Sequence, residues 1–215
     1  LSVFWLHSTH VDEKKSNGEK ASFGSAMALL NNSYIVLMVL AIFFLVGIDV
    51  GINSTSGQFL MDKLGMDAEP AKQGRSLYFF GKMLGTFAGA LLLTKLHNGR
   101  FLIYSSVSTL IILLAFVWAP SPAIALGMMF LLGIAAANIF PLIFAFTAGR
   151  YQNRTNEISG LMIMAVSGGA FIPLLVGSVS DNFDVTAGIY VLALCAVYLV
   201  FTSVFAFKSS SSKAG

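Results

Sequence analysis

Six apolar runs divide this sequence, from about Tyr34 to Leu60, Leu77 to Leu96, Phe101 to Trp118, Ala123 to Ala148, Ile158 to Val179 and Val185 to Phe207. A helix of roughly 17–25 apolar residues crosses a hydrocarbon core of about 30 Å, and each run is long enough to do so. In that solvent the backbone must satisfy its own N–H and C=O groups, which restricts spanning segments to helices or closed barrels. Runs this long without strict alternation read as helices. The separators MDKLGMDAEPAKQGR, LHNG, APSP, GRYQNRTNE and SDNFD carry Gly, Pro, Asn, Asp and basic residues, so consecutive spans are expected antiparallel. Composition agrees: 56% of residues are hydrophobic, 11% are charged and the mean hydropathy is +0.80. A soluble domain carries about 25% charged residues. An all-α membrane protein with six transmembrane helices is predicted.

Orientation follows from where lysine and arginine stand near helix ends. One side collects Lys14, Lys15 and Lys20, then Lys95 and Arg100, Arg150 and Arg154, and Lys208 and Lys213. The other has Lys63, Lys72 and Arg75 diluted by Asp62, Asp67 and Glu69, then an uncharged loop, then Asp181 and Asp184. Both ends of the six-helix unit are predicted cytoplasmic, in a cell membrane that the chain crosses repeatedly. Trp118, Tyr151 and Tyr34 fall near the predicted interfaces, where amphipathic rings are favoured. Residues 1–6 read as the last turns of an earlier transmembrane helix without the leader and cleavage site of a signal peptide. Residues 7–33 then form a cytoplasmic loop, residues 34–207 the six-helix unit and residues 208–215 a cytoplasmic tail. The N-x-S/T triplets at Asn31, Asn153 and Asn53 are not expected to be glycosylated, because two lie on the cytoplasmic side and one in a span.

Cys195 stands alone in an apolar run, so no disulfide or paired-thiol metal site is expected. His7, His10 and His97 sit apart in polar loops without ligand spacing. No nucleophile with its base and no phosphate-cradling loop is legible, so no enzyme, cofactor or metal is predicted. The net charge of +3 is too small to suggest nucleic acid. The lipid bilayer is the partner that the composition requires.

An ionisable side chain inside a span costs about 2.5–3.5 kcal/mol on insertion scales and marks a functional candidate. Asp49 lies in the first span within GIDVGINSTSGQ, and Lys82 in the second within YFFGKMLG. At about 1.5 Å per residue they reach similar depth, and a pair or a shared cavity is expected; a purely structural ion pair is the competing reading. Asn53 and Gln58 follow Asp49, and Asn138 sits mid-way through the fourth span. Their amides both donate and accept, which suits the hydroxyls of a neutral, sugar-like ligand, although each could equally bond helix to helix. Glycines at 47, 51 and 57 in the first span, and Gly127, Gly133 and Pro141 in the fourth, predict that both helices opening a three-helix period are interrupted. Such interruptions at matching positions of two repeats point to a midplane site. Gly81, Gly85 and Gly89, and Gly160, Gly168, Gly169 and Pro173, read as close-packing positions. Phe43, Phe44, Phe79 and Phe80 read mainly as lipid or packing surface.

The run NEISGLMIMAVSGGAFIPLLVGSVSD, Asn156 to Asp181, together with NIFPLIF, Asn138 to Phe144, and SLYFFGKMLGTFAGALL, Ser76 to Leu92, resembles the C-terminal six helices of the major facilitator superfamily. More narrowly it is similar to the fucose/glucose/galactose:proton symporters. The resemblance implies two inverted three-helix repeats forming half of a twelve-helix fold, with an N-terminal six-helix half as partner. It implies uptake of a hexose or deoxyhexose with a proton by alternating access. The acidic residues tied to proton coupling in that family lie in the N-terminal half, so Asp49 inherits no such role. The family's loop pattern between the second and third helices survives as Gly99 and Arg100, and Thr86 stands where an arginine is common. The candidate substrate-binding set is Asp49, Asn53, Gln58, Lys82 and Asn138. Two rivals are a drug exporter or organic-anion carrier, with Lys82 as counter-ion, and a six-helix scaffold that transports nothing.

Overall fold

The computed structural model describes residues 23–211. The readings of residues 1–6 as a helix end, of the basic residues before Phe23 and of Lys213 lie outside the described residues. A short helix α1, Phe23–Ala28, and a 3₁₀ turn, Leu29–Asn31, lead into α2, Ser33–Leu64. The one-turn α3, Ala68–Ala71, precedes α4, Gln73–Leu92, and α5 is Asn98–Val117. The fourth span is two helices, α6, Pro122–Ala136, and α7, Ile139–Arg150. The fifth is also two, α8, Thr155–Ala165, and α9, Gly168–Asn182, and α10 is Val185–Ser211.

Local chemistry sets the ends. The Asn32 side chain accepts from the Tyr34 N–H at 3.0 Å to cap α2. Gly65 closes the same helix in the left-handed region at φ 63°, where a Cβ is disfavoured. Pro122 begins α6, where its missing N–H costs nothing. Five stretches are long and apolar enough to cross a membrane: Ser33–Leu64, Asn98–Val117, Pro122–Arg150, Gln152–Asn182 and Val185–Ser209. The remaining span, α4, has 20 residues, but Arg75 and Lys82 lower its apolar character. It stays within the bundle because one face is pressed against α6.

That face is glycine. A Cβ on Gly81 would stand 2.1 Å from the Phe130 carbonyl oxygen, and one on Gly133 would stand 2.0 Å from that of Tyr78, so α4 and α6 touch backbone to backbone. The same device joins the first and fifth spans, where a Cβ on Gly168 would meet the Phe43 carbonyl oxygen at 1.9 Å. The two contacts are counterparts: if three spans repeat inverted, the pair formed by spans one and five maps onto the pair formed by four and two. α10 lies along both α2 and α5, completing the bundle. Ile35, Ile42, Leu45, Ile48 and Ile52 of α2 are buried at its centre. Phe87, Leu91, Ile111, Leu174, Leu194 and Phe201 are exposed, as expected where lipid is the solvent.

One expectation is corrected. α2 runs unbroken through Gly47, Gly51 and Gly57 for 32 residues, so the first span is not interrupted. Its glycines serve neighbours instead, Gly47 facing Ile172 and Gly51 facing Leu192 too closely for a Cβ. The fourth span is interrupted, at residues 137–138, and the fifth is interrupted at residues 166–167.

Candidate functional site

At 100° per residue, Arg75, Lys82 and Thr86 fall within roughly 40° of one another on α4, beside the glycine face that packs on α6. That geometry makes α4 a rail with a polar stripe. At its middle, Lys82 Nζ donates to Asp49 Oδ2 of α2, and the Tyr78 hydroxyl donates to Asp49 Oδ1. Both carboxylate oxygens are therefore filled from one neighbouring helix. The Lys82 ammonium also lies 5.8 Å from the Tyr78 ring centroid, within reach of a cation–π attraction. Tyr78 is fully buried, whereas the side chains of Lys82 and Asp49 are 28% and 19% exposed. The charged pair is thus partly open at the surface of this half and not sealed in its core.

One turn beyond Asp49, the Asn53 Nδ2 donates to the Asp49 carbonyl oxygen at 2.7 Å. The Asn53 carbonyl oxygen accepts from Arg75 Nε and Nη2 at 3.2 and 3.0 Å. Asn53, Arg75, Ser54, Ser56 and Gly57 line a cavity of about 340 Å³ on the side predicted to be extracellular. A second cavity, of about 570 Å³, lies further along the same stripe, where Thr86, Thr94, Asn98, Asn138 and Pro141 meet. The Asp49–Tyr78–Lys82 cluster stands between the two.

Asp49, Asn53 and Lys82 are thus brought together. Gln58 is exposed, roughly 13 Å along α2 from Asp49 at 1.5 Å per residue, and is outside this cluster. Asn138 is buried in the break between α6 and α7, its Nδ2 donating to the Gly85 carbonyl oxygen at 2.7 Å. It bonds helix to helix, and its remaining surface faces the second cavity. Two participants escaped the sequence reading. Tyr78 stands four residues before Lys82, the spacing of neighbours on one helical face, and Arg75 had been read only as a loop charge. Among the described residues no three His, Cys, Asp or Glu side chains lie close enough to hold a metal.

The sequence profile of the Major Facilitator Superfamily matches residues 1–173. A protein of Helicobacter pylori strain J99, provisionally named a glucose/galactose transporter, is 30% identical over 190 residues, which are 86% of this chain and 46% of that protein. The glucose/galactose transporter of Brucella abortus biovar 1 is 26% identical over 178 residues, covering 82% of this chain and 43% of the relative. The chain therefore spans about half the length of the curated relatives it matches. The crystal structure of FucP, a Major Facilitator Superfamily transporter in the outward conformation, superposes with a TM-score of 0.79 at 21% identity, over 89% of this chain and 47% of that one. The fold is half of that architecture.

Proposed function

This chain belongs to the Major Facilitator Superfamily, and we propose that it forms the C-terminal half of a monosaccharide carrier working by alternating access. Its partner in this reading is an N-terminal six-helix half, and the bilayer is a cell membrane with both ends of the six-helix unit cytoplasmic. Sugar as substrate is supported by the relatives, whose names specify glucose and galactose. Proton symport is the finer part of the proposal; a fucose:proton symporter shares the fold at 21% identity. Asp49, Asn53 and Lys82 line the route directly. Gln58 stands at the outer rim of the proposed substrate path, and Asn138, tied to the Gly85 carbonyl, shapes the wall of the inner cavity rather than bonding the sugar.

The observation that carries the reading is the half-buried Asp49–Tyr78–Lys82 cluster standing between two cavities on one face of α4. A pair with no net charge permits a neutral solute to pass without a counter-ion. Lys82, the counter-ion that an organic-anion carrier would use in this cluster, already has its carboxylate within the chain.

Uptake of radiolabelled glucose, galactose and fucose into vesicles containing the complete carrier tests this, with external pH recorded. We expect sugar-dependent alkalinisation. Asp49→Asn leaves the Lys82 ammonium without its anion, and uptake should fall about tenfold, the equivalent of about 1.4 kcal/mol, which is less than the cost of breaking a fully buried pair from one side. Asp49→Asn combined with Lys82→Met removes both charges. That double variant should insert and fold but still not transport; normal uptake by it would reduce the cluster to scaffolding.

A further inference from the structure

The turn between α7 and α8, on the side predicted to be cytoplasmic, encloses a cavity of about 500 Å³ lined by Gly149, Arg150, Tyr151, Gln152, Asn153 and Arg154. Among the described residues no carboxylate lines it, and each of its polar side chains can donate a hydrogen bond. Arg150 is held by neutral partners: its Nη1 donates to the Ser209 side chain, and its guanidinium lies 4.4 Å from the Tyr34 ring centroid. Such partners orient a charge without cancelling it, and among the described residues no carboxylate pairs with Arg150. The Tyr151 hydroxyl accepts from Asn32 Nδ2 at 2.9 Å, so its own proton remains to be given. Arg154 donates through Nε to Glu157 Oε1 at 3.0 Å and through Nη2 to the Ser25 carbonyl oxygen at 3.1 Å. Its side chain is still 42% exposed, and Nη1 stands outside both bonds. Lys208, exposed beside Ser209 at the end of α10, adds a further cation, so the basic side chains outnumber Glu157.

An anion answers that wall, and the surroundings say which kind. Tyr34, under the Arg150 guanidinium, packs on Phe205 of α10 at 6.2 Å between ring centroids. At 100° per residue Phe205, Phe201, Val197 and Leu194 share one face of α10, and the last three are 57%, 50% and 71% exposed. From Phe205 to Leu194 is roughly 16 Å at 1.5 Å per residue, about half of a hydrocarbon core of roughly 30 Å and so the depth of one leaflet. A soluble anion has no use for such a strip, whereas an amphiphile fills both parts. We propose that this end of the protein binds an anionic phospholipid of the cytoplasmic leaflet. Its phosphodiester sits between Arg150 and Arg154, the Tyr151 hydroxyl donates to a phosphate oxygen, and one acyl chain lies along Phe205, Phe201 and Val197. Guanidinium groups match phosphate oxygens in geometry as well as charge, and acidic lipids of that leaflet are drawn to basic groups at helix ends. The turn joins the two interrupted spans, so an occupied site fixes their shared end to α10.

Native mass spectrometry of the complete carrier, with phosphatidylglycerol or phosphatidylcholine added in detergent, tests the site. Phosphatidylcholine has the same phosphodiester but carries a choline cation that the basic wall repels, so the parent should hold phosphatidylglycerol about tenfold more tightly. Arg150→Gln should lower the phosphatidylglycerol affinity about tenfold, the smaller figure for a charge-assisted hydrogen bond. Ser209→Ala removes the anchor but keeps the charge, and its affinity should stay within about twofold. Arg154→Gln, at a side chain open to solvent, carries the same test if Arg150→Gln does not fold. In vesicles, a photoactivatable phosphatidylglycerol should label α10 between Val197 and Phe205 in the parent and much less in the arginine variants. Equal retention of the two lipids, or unchanged phosphatidylglycerol retention in the folded arginine variants, overturns the proposal. So does a parent in which inorganic phosphate displaces the lipid and α10 is not labelled, since the cavity is then a site for a soluble anion. Sugar uptake enters none of these readouts, so the carrier reading stands or falls separately.

Discussion

Asn53 and Asn138 are two buried amides, each in the span that opens a three-helix repeat, and they are used in opposite ways. Asn53 lies in an unbroken helix, ties its Nδ2 to its own backbone and keeps an acceptor unmet. Asn138 lies in a break, where α6 has ended and α7 has not begun. It leaves its own helix start uncapped and sends its Nδ2 across to the Gly85 carbonyl oxygen of α4. A Cβ on Gly89 would stand 2.1 Å from that Nδ2, so α4 is shaped to receive it. One amide ties two helices together, whereas the other bonds within its own helix and leaves a buried acceptor unmet. The residue type is the same, and the difference lies in whether the host helix is continuous.

The strongest way to break this contrast is through the contact that Asn138 serves. Gly133→Ala places a Cβ 2.0 Å from the Tyr78 carbonyl oxygen and 2.8 Å from the Lys82 N, both backbone atoms that cannot turn aside. It should cost at least about 3 kcal/mol and be seen as loss of folded carrier on size-exclusion chromatography. Gly47→Ala in the first span meets the Ile172 side chain, Cγ1 at 2.4 Å and Cβ at 2.6 Å; a rotamer change moves the first and not the second, so the two helices must also shift, and about 2 kcal/mol is expected. Equal effects would mean that a side-chain neighbour at position 47 yields no more readily than the backbone neighbours at position 133.

Next in size is Asn138→Ala. The Gly85 carbonyl loses a donor, and interhelical hydrogen bonds in membranes are worth about 0.6–2 kcal/mol. Thermal denaturation in detergent should show that loss while the sugar KM stays within about twofold. A raised KM with unchanged melting would reverse the assignment and make Asn138 a ligand.

Much of this was legible beforehand, for physical reasons. Six spans are written in long, mainly apolar runs, because lipid tolerates little else, and the run limits agree with the helices to within a turn or two at most ends. The pairing of Asp49 with Lys82 followed from depth alone, since rise per residue is fixed. Tyr78 was missed because a tyrosine near a membrane interface is unremarkable until a carboxylate stands opposite it. The continuity of α2 was misread because glycine in a sequence marks either a break or a close neighbour. Only the partner helix decides which, and Ile172 is more than a hundred residues away. For the same reason the sequence could not separate Asn53 from Asn138.

The smallest effect concerns how the opening spans end. Arg150, at the end of α7, donates to the Ser209 side chain and lies 4.4 Å from the Tyr34 ring centroid. Lys63, at the end of α2, donates to Asp184 Oδ2 at 2.8 Å, with both side chains nearly half exposed. Each basic residue thus holds one end of α10, but only the Lys63 pair sits in water, where such bridges contribute little. Lys63→Ala should lower the melting temperature by no more than about 2 °C. Its pH signature is more telling than its size. The Asp184 carboxyl is held below the usual carboxylate range first by the Lys63 hydrogen bond and then by the Ala187 N–H. A lowered carboxyl contributes stability that is present above its unfolded value, about 3.9, and is lost as pH falls through the folded value. Removing Lys63 lets that folded value rise towards the ordinary one, so the variant should lose less stability on acidification, and the two melting curves should converge at low pH. Parallel curves would mean that the bridge does not hold α10, and would leave Arg150 as the only one of the two basic residues that anchors it.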